Sequence, residues 1–157
     1  MARPEIKTYQ NLESAFAGES MAHIKYRYFA KLARAAGDED TAQIFEQTAD
    51  QEVMHAFGHL DLLYPAAEVT PAKALQIAIE GETYEYSEMY PGFRKTAVEE
   101  GNAAAVAEID EQISESKEHA DRFKAVLEKA AKRFAALAKV EERHANHYQK
   151  ALDAIKA

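Results

Sequence analysis

Apolar residues recur at every third or fourth position along almost the whole chain, the period of a helix buried on one side. Only six Gly and four Pro interrupt that pattern, and no alternating β-branched run competes with it. The fold class that follows is all-α. The first helix is expected from near Thr8 to Gly37, a C′ residue, with the stripe Leu12, Phe16, Glu19, Tyr26, Phe29 and Ala33. Asp38 can cap the second, whose stripe is Ala42, Phe45, Ala49, Glu52, His55, His59 and Leu62. "YPAAEVTP" breaks the chain, with Thr70 as N-cap and Pro71 at the first helical position. The third stripe reads Leu75, Ile79, Glu82, Tyr86, Met89 and Phe93, with Pro91 a candidate kink, and stops at "EEGN", 99–102. Beyond Asn102 there is neither Gly nor Pro. One helix over that span would be about 80 Å long, too long for a compact domain. A turn is therefore expected, at 114–116 or near Lys129–Lys132.

At 157 residues a single domain, 1–157, is expected. The net charge of −8, with acids and bases interspersed, argues against nucleic acid, which needs a basic footprint, and against an anionic membrane surface. No apolar run reaches the roughly 20 residues of a membrane span. "MARPEIKTYQ" lacks the apolar core of a secretory signal, so a cytoplasmic or organelle-stroma location is expected. Cys is absent. Thiol catalysis, iron–sulfur clusters and Cys-type zinc sites are thereby excluded from these residues, and a metal would be held by oxygen and imidazole nitrogen.

The stripes themselves carry acids. "FEQTADQEVMH" places Glu52 and His55 where apolar residues should continue, and "FAALAKVEERH" does the same with Glu141 and His144. Residues three apart share a helix face. "AFAGES" and "AIEGET" echo one another and put Glu19 and Glu82 on stripes of their own, so the two halves read as related hairpins. Four carboxylates and two imidazoles then converge inside a four-helix bundle, the donor set of di-iron and di-manganese carboxylate bundles. Buried carboxylates without partners are costly, and two divalent cations would balance four of them. Glu85, one turn after Glu82, would be a fifth. Any one of these residues alone is ordinary: a Glu-x-x-His pair arises by chance, and an isolated Glu is commonly a boundary or solvated residue. All six in register on four segments are not ordinary.

The pieces "NLESAFAGES", "YRYFAKLARAAG", "FEQTADQEVMHA", "AIEGETYEYSEMYPGF" and "FAALAKVEERHANHY" resemble the rubrerythrin family of the ferritin-like superfamily. The resemblance implies a ferritin-like four-helix bundle holding two iron ions, with manganese or a mixed pair as alternatives. It implies metal ligands Glu19, Glu52, His55, Glu82, Glu85, Glu141 and His144. One of Glu82 and Glu85 would exchange with a His, by position His55, as the pair changes redox state. It places Tyr26 and Tyr90 as catalytic-site residues hydrogen-bonded to ligand carboxylates. From the residues alone, both tyrosines read equally well as core packing.

Two departures from the family stand out. The Cys-x-x-Cys rubredoxin-like module is missing, so the chain resembles the rubredoxin-free branch (erythrin, symerythrin and sulerythrin types) and would need a separate electron-donor protein. About 25 further residues also precede the last Glu-x-x-His, an expected helical insertion over about 103–130. Within it, "EIDEQISESKEH" offers His119 as a rival last ligand, but with Ser116 where a Glu belongs. Gly101 as the hairpin turn favours that level. The intact Glu141 and His144, flanked by Phe134 and Tyr148, favour the other. Glu108, Glu111, Glu115 and Glu118 of the insertion read as a solvated face.

The function implied is a di-iron peroxidase: an oxidoreductase that reduces hydrogen peroxide, in oxidative-stress defence. The alternatives are an oxygen-activating oxidase or ferroxidase, with dioxygen as oxidant, and a helical scaffold with a vestigial site. The eight residues of "YPAAEVTP" reach about 26 Å when extended, short for a crossover along a bundle. Either the helices pair as simple neighbours or two chains exchange hairpins, and a homodimer is the expected assembly.

Overall fold

A computed structural model describes residues 6–156. Residues 1–5, part of the segment from which the absence of a leader was inferred, lie outside them. The described elements are α1 (Lys7–Ala35), α2 (Glu39–Leu63), α3 (Pro71–Tyr84), a π-helical turn (Glu85–Met89), α4 (Tyr90–Glu99) and α5 (Ala103–Lys156). No helix among these residues is long and apolar enough to cross a membrane. The chain divides between Thr70 and Pro71 into two compact units, each a helical hairpin.

The first hairpin closes at Gly37, whose φ of 83° is open to glycine without penalty. The Gly37 N–H donates to the Arg34 carbonyl and the Asp38 N–H to that of Ala33, both at 3.0 Å, which is a Schellman ending. Asp38 then serves the next helix, its Oδ1 accepting from the Thr41 N–H at 3.0 Å. The two helices approach closely because the seam is small: Ala30 of α1 and Ala42, Ala49 and Ala56 of α2 are all buried, with Leu63 at the far end. His23 reinforces the contact. Its Nδ1–H donates to the Ala49 carbonyl at 2.8 Å, so the proton sits on Nδ1 and Nε2 accepts from Arg27 Nε. At the closed end Arg34 holds Glu39 and Glu46 with paired bonds of 2.8–3.0 Å.

The second hairpin repeats this closure. Gly101 has φ 69°, Asn102 N–H donates to Ala97 and Gly101 N–H to Val98, and Asn102 Oδ1 accepts from Ala105 N–H at 3.1 Å. Pro71 opens α3 as expected. Near Pro91 there is a π turn in place of a simple kink: the Tyr90 N–H reaches back five residues to the Glu85 carbonyl. A proline ring clashes with the carbonyl four residues before it, and widening the turn relieves that contact.

The largest departure from expectation is α5. It does not turn at 114–116 or at 129–132; it runs unbroken over 54 residues. With no Gly or Pro to stop it, helix propagation continues at every position. Val106, Ile109, Ile113, Ser116, Ala120, Phe123 and Leu127 form a seam that is buried or half-buried, facing the run 71–99. From 131 onward large apolar side chains are exposed, at Phe134, Leu137, Tyr148 and Ile155. The residues of the expected insertion, about 103–130, are thus the packed half of one continuous helix.

Candidate metal centre

In the first hairpin Glu19 comes from α1 and Glu52 and His55 from α2. Each offers a ligand atom within 4.8 Å of the others. Glu52 retains only 15% exposure, and His55 Nδ1 lies 2.9 Å from its Oε2. The imidazole donates there, which orients the ring in the manner of a metal-ligating His held by a carboxylate. Tyr26 packs its ring on Phe45, with 5.8 Å between centroids, and Phe29 meets Phe45 edge-on at 5.6 Å. These rings lie between the cluster and the turn at Gly37.

In the second hairpin Glu82 comes from α3 and Glu85 from the first residue of the π turn. They face α5 at Ser116 and His119. His119 Nδ1 lies 3.4 Å from Glu82 Oε1, and Glu82 is 22% exposed. Ser116 is 4% exposed, a buried polar residue in the core, and its hydroxyl donates to Glu85 Oε2 at 3.0 Å. Tyr90 follows one turn after Tyr86. Burial pushes its phenol pKa up, and the negative charges of Glu85, Glu82 and Glu108 add to that rise. Tyr90 therefore holds its proton beside two of the expected ligands.

The structure does not bring Glu141 and His144 to Glu82 and Glu85. They pair with each other at 3.7 Å on the far half of α5, with Glu141 76% exposed. His144 lies about 38 Å beyond His119 at 1.5 Å per residue. Ser116 and His119, the rival level in the sequence, occupy the place facing α3. Glu108, Glu111, Glu115 and Glu118 are exposed.

One count makes the two clusters comparable. Glu19 and His55 each stand eighteen residues from Gly37, and Ala22 and Glu52 each stand fifteen. Around Gly101, His119 and Ser116 stand eighteen and fifteen residues away, while Glu82 and Glu85 stand nineteen and sixteen. A π turn accommodates one extra residue, and the turn at 85–89 lies between Glu85 and Gly101. That accounts for the offset of one. The clusters are therefore at the same height in their hairpins, each with two carboxylates and one imidazole. Such donors suit iron and manganese, and the residues of each hairpin, taken by itself, are of the kind that holds a divalent cation.

Helical hairpins carrying carboxylates and imidazoles in this arrangement define a ferritin-like carboxylate metal protein. The rubrerythrin family profile matches residues 10–127, and the chain belongs to the rubrerythrin family, a ferritin-like di-iron family. It is 36% identical over 132 residues to rubrerythrin from Porphyromonas gingivalis, covering 77% of this chain and 66% of that protein. To nigerythrin from Nitratidesulfovibrio vulgaris it is 37% identical over 128 residues, covering 74% and 63%. To symerythrin from Cyanophora paradoxa it is 28% identical over 131 residues, covering 66% and 72%. The chain thus spans somewhat under two thirds of the length of the first two. Among solved structures, fully reduced, all-ferrous nigerythrin is 34% identical with a TM-score of 0.41, covering 82% of this chain and 70% of that one.

Proposed function

We propose that the protein is a di-iron oxidoreductase that reduces hydrogen peroxide to water with electrons from a separate donor protein. The observation that carries this reading is the group Glu19, Glu52 and His55, whose ligand atoms lie within 4.8 Å of one another, with Glu82, Glu85 and His119 at the matching height of the other hairpin. Family membership supports iron as the metal. The matched residues, 10–127, include all six donors and end before Glu141.

Glu19, Glu52 and His55, with Glu82, Glu85 and His119, would hold the iron, which when bound would supply the two electrons that hydrogen peroxide needs, with two protons, to become two waters, and an external donor would replace them. The residues of the chain set the conditions. Glu52 and Glu82 keep their carboxylates at low exposure, where the charges interact strongly with a cation and weakly with water. Glu52 orients the His55 ring through Nδ1. Tyr90, with its raised pKa, stays protonated beside Glu85 and can donate a hydrogen bond there. Tyr26, braced on Phe45, is assigned the corresponding role at the first cluster. The reading includes a homodimer with hairpins exchanged between copies, for which the short connection 64–70 is the support.

The test is anaerobic: load the protein with ferrous ion, then mix with hydrogen peroxide or with dioxygen. Faster oxidation by peroxide supports the reading. Faster oxidation by dioxygen contradicts it in favour of an oxidase or ferroxidase.

A further inference from the structure

The far half of α5 repeats the helix face that α2 buries. Ala42, Ala49, Ala56 and Leu63 form the α2 seam, none of them more than 7% exposed. Eighty-nine positions on, Ala131, Ala138, Ala145 and Leu152 stand in the same order. Phe134, Glu141 and His144 likewise repeat Phe45, Glu52 and His55. A seam of small residues at seven-residue intervals lets a second helix approach closely, and α2 has that helix in α1. Along 131–155 the same face is open, and Phe134 and Tyr148 beside it are 72% and 71% exposed. The segment lies beyond residue 127, where the match to the family profile ends.

This face is complementary to itself. Place a two-fold axis between Glu141 and Glu142, so that a second copy runs antiparallel. Ala138 then stands opposite Ala145 of the second copy, and Ala131 opposite its Leu152: small against small near the axis, small against large at the ends. On one edge Phe134 comes within one residue of Tyr148 of the second copy. On the other edge Lys139 comes within two residues of its Glu142, and Lys132 within two of its Asp153. At 100° per residue those four charged positions lie on one flank, and the two-fold makes each contact twice. A parallel pair would set Lys139 against Lys139 and Glu142 against Glu142. Glu141 sits at the edge of the seam 3.7 Å from its own His144, as Glu52 sits beside His55. The aromatic rings of two copies, with the leucines and the alanine seam, amount to on the order of 1,000 Å², the area a specific interface needs.

We propose that residues 131–156 of α5 are a self-association surface, which pairs antiparallel with the same segment of a second copy of the chain. This pairing is separate from any exchange of hairpins and does not depend on what the metal centre does.

The chain has no Cys, so single introduced thiols report the pairing. Ala131→Cys and Leu152→Cys are made as two full-length proteins, checked for folding by circular dichroism, and oxidised mildly, each alone and mixed. Non-reducing electrophoresis should show a disulfide-linked dimer in the mixture and at least tenfold less of it in either protein alone. Cross-linking of each protein alone with no gain on mixing would mean a parallel pair, and no cross-link anywhere would mean that something else covers this face; either result overturns the proposal. The concentration that gives half of the maximal cross-link then measures affinity, whatever other contact the chain makes. Lys139→Glu, carried in both proteins, should raise that concentration about tenfold, and Lys139→Glu with Glu142→Lys should return it to within a few-fold. A folded double variant no better than Lys139→Glu would also overturn the proposal.

Discussion

His119 Nδ1 lies 3.4 Å from Glu82 Oε1, on the opposite side of the hairpin that turns at Gly101. This single relationship selects between the two Glu/Ser-x-x-His levels of α5. The helix is continuous, so only one level can face Glu82, and it is the one lacking a Glu. The expected outcome is that His119→Ala binds about half the iron of wild type, while His144→Ala binds the full amount. Metal analysis after anaerobic loading checks both, and the reverse pattern would return the ligand role to His144.

Ala42, Ala49 and Ala56 are buried on α2 at seven-residue intervals, facing α1. They set how closely Glu19 can approach Glu52. Ala49→Leu inserts volume into that seam and should destabilise the hairpin by about 1–3 kcal/mol. Thermal melts should show the lower midpoint, and iron titration should show weakened binding even at temperatures where the variant is folded. Retained affinity in a destabilised variant would mean that helix spacing does not govern the cluster.

Arg34 holds the Glu39 and Glu46 carboxylates below their ordinary value of 4.5, chiefly through its hydrogen bonds to each. A carboxylate with a depressed folded pKa contributes stability above its unfolded value, and that contribution is lost as pH falls through the folded pKa. The groups are exposed, so the effect is small. Melting temperatures of wild type and Arg34→Met should differ at neutral pH and converge as the pH falls below the ordinary carboxylate range. A gap that persists or widens in acid would exclude these ion pairs as its source.

The hairpin turns were legible because their chemistry is local. Gly37 and Gly101 adopt positive φ, Asp38 and Asn102 cap the helices that follow, and Pro71 opens α3. Each needs only its neighbours in sequence. The acids in the stripes were legible for a related reason: Glu19, Glu52 and Glu82 fall at positions where the helical period calls for an apolar residue. What did not show was the reach of α5 and hence the partner of Glu82. Two segments compete for that place, and the one with the better motif, Glu141 with His144, is not the one at the right height. Counting residues outward from Gly101 already favoured the level of His119, and the intact Glu-x-x-His motif outweighed it. On the other side of the turn the count matches for Glu82 and Glu85 only after the π turn adds its residue, and a π turn has no sequence signature beyond Pro91 two residues past its end.

The account stands most directly on how many ions the intact chain takes up. Anaerobic titration with ferrous ion should saturate at two per chain, and Glu19→Ala or Glu52→Ala should reduce that number. Saturation at zero, or a full two in the absence of both Glu19 and Glu52, would contradict it.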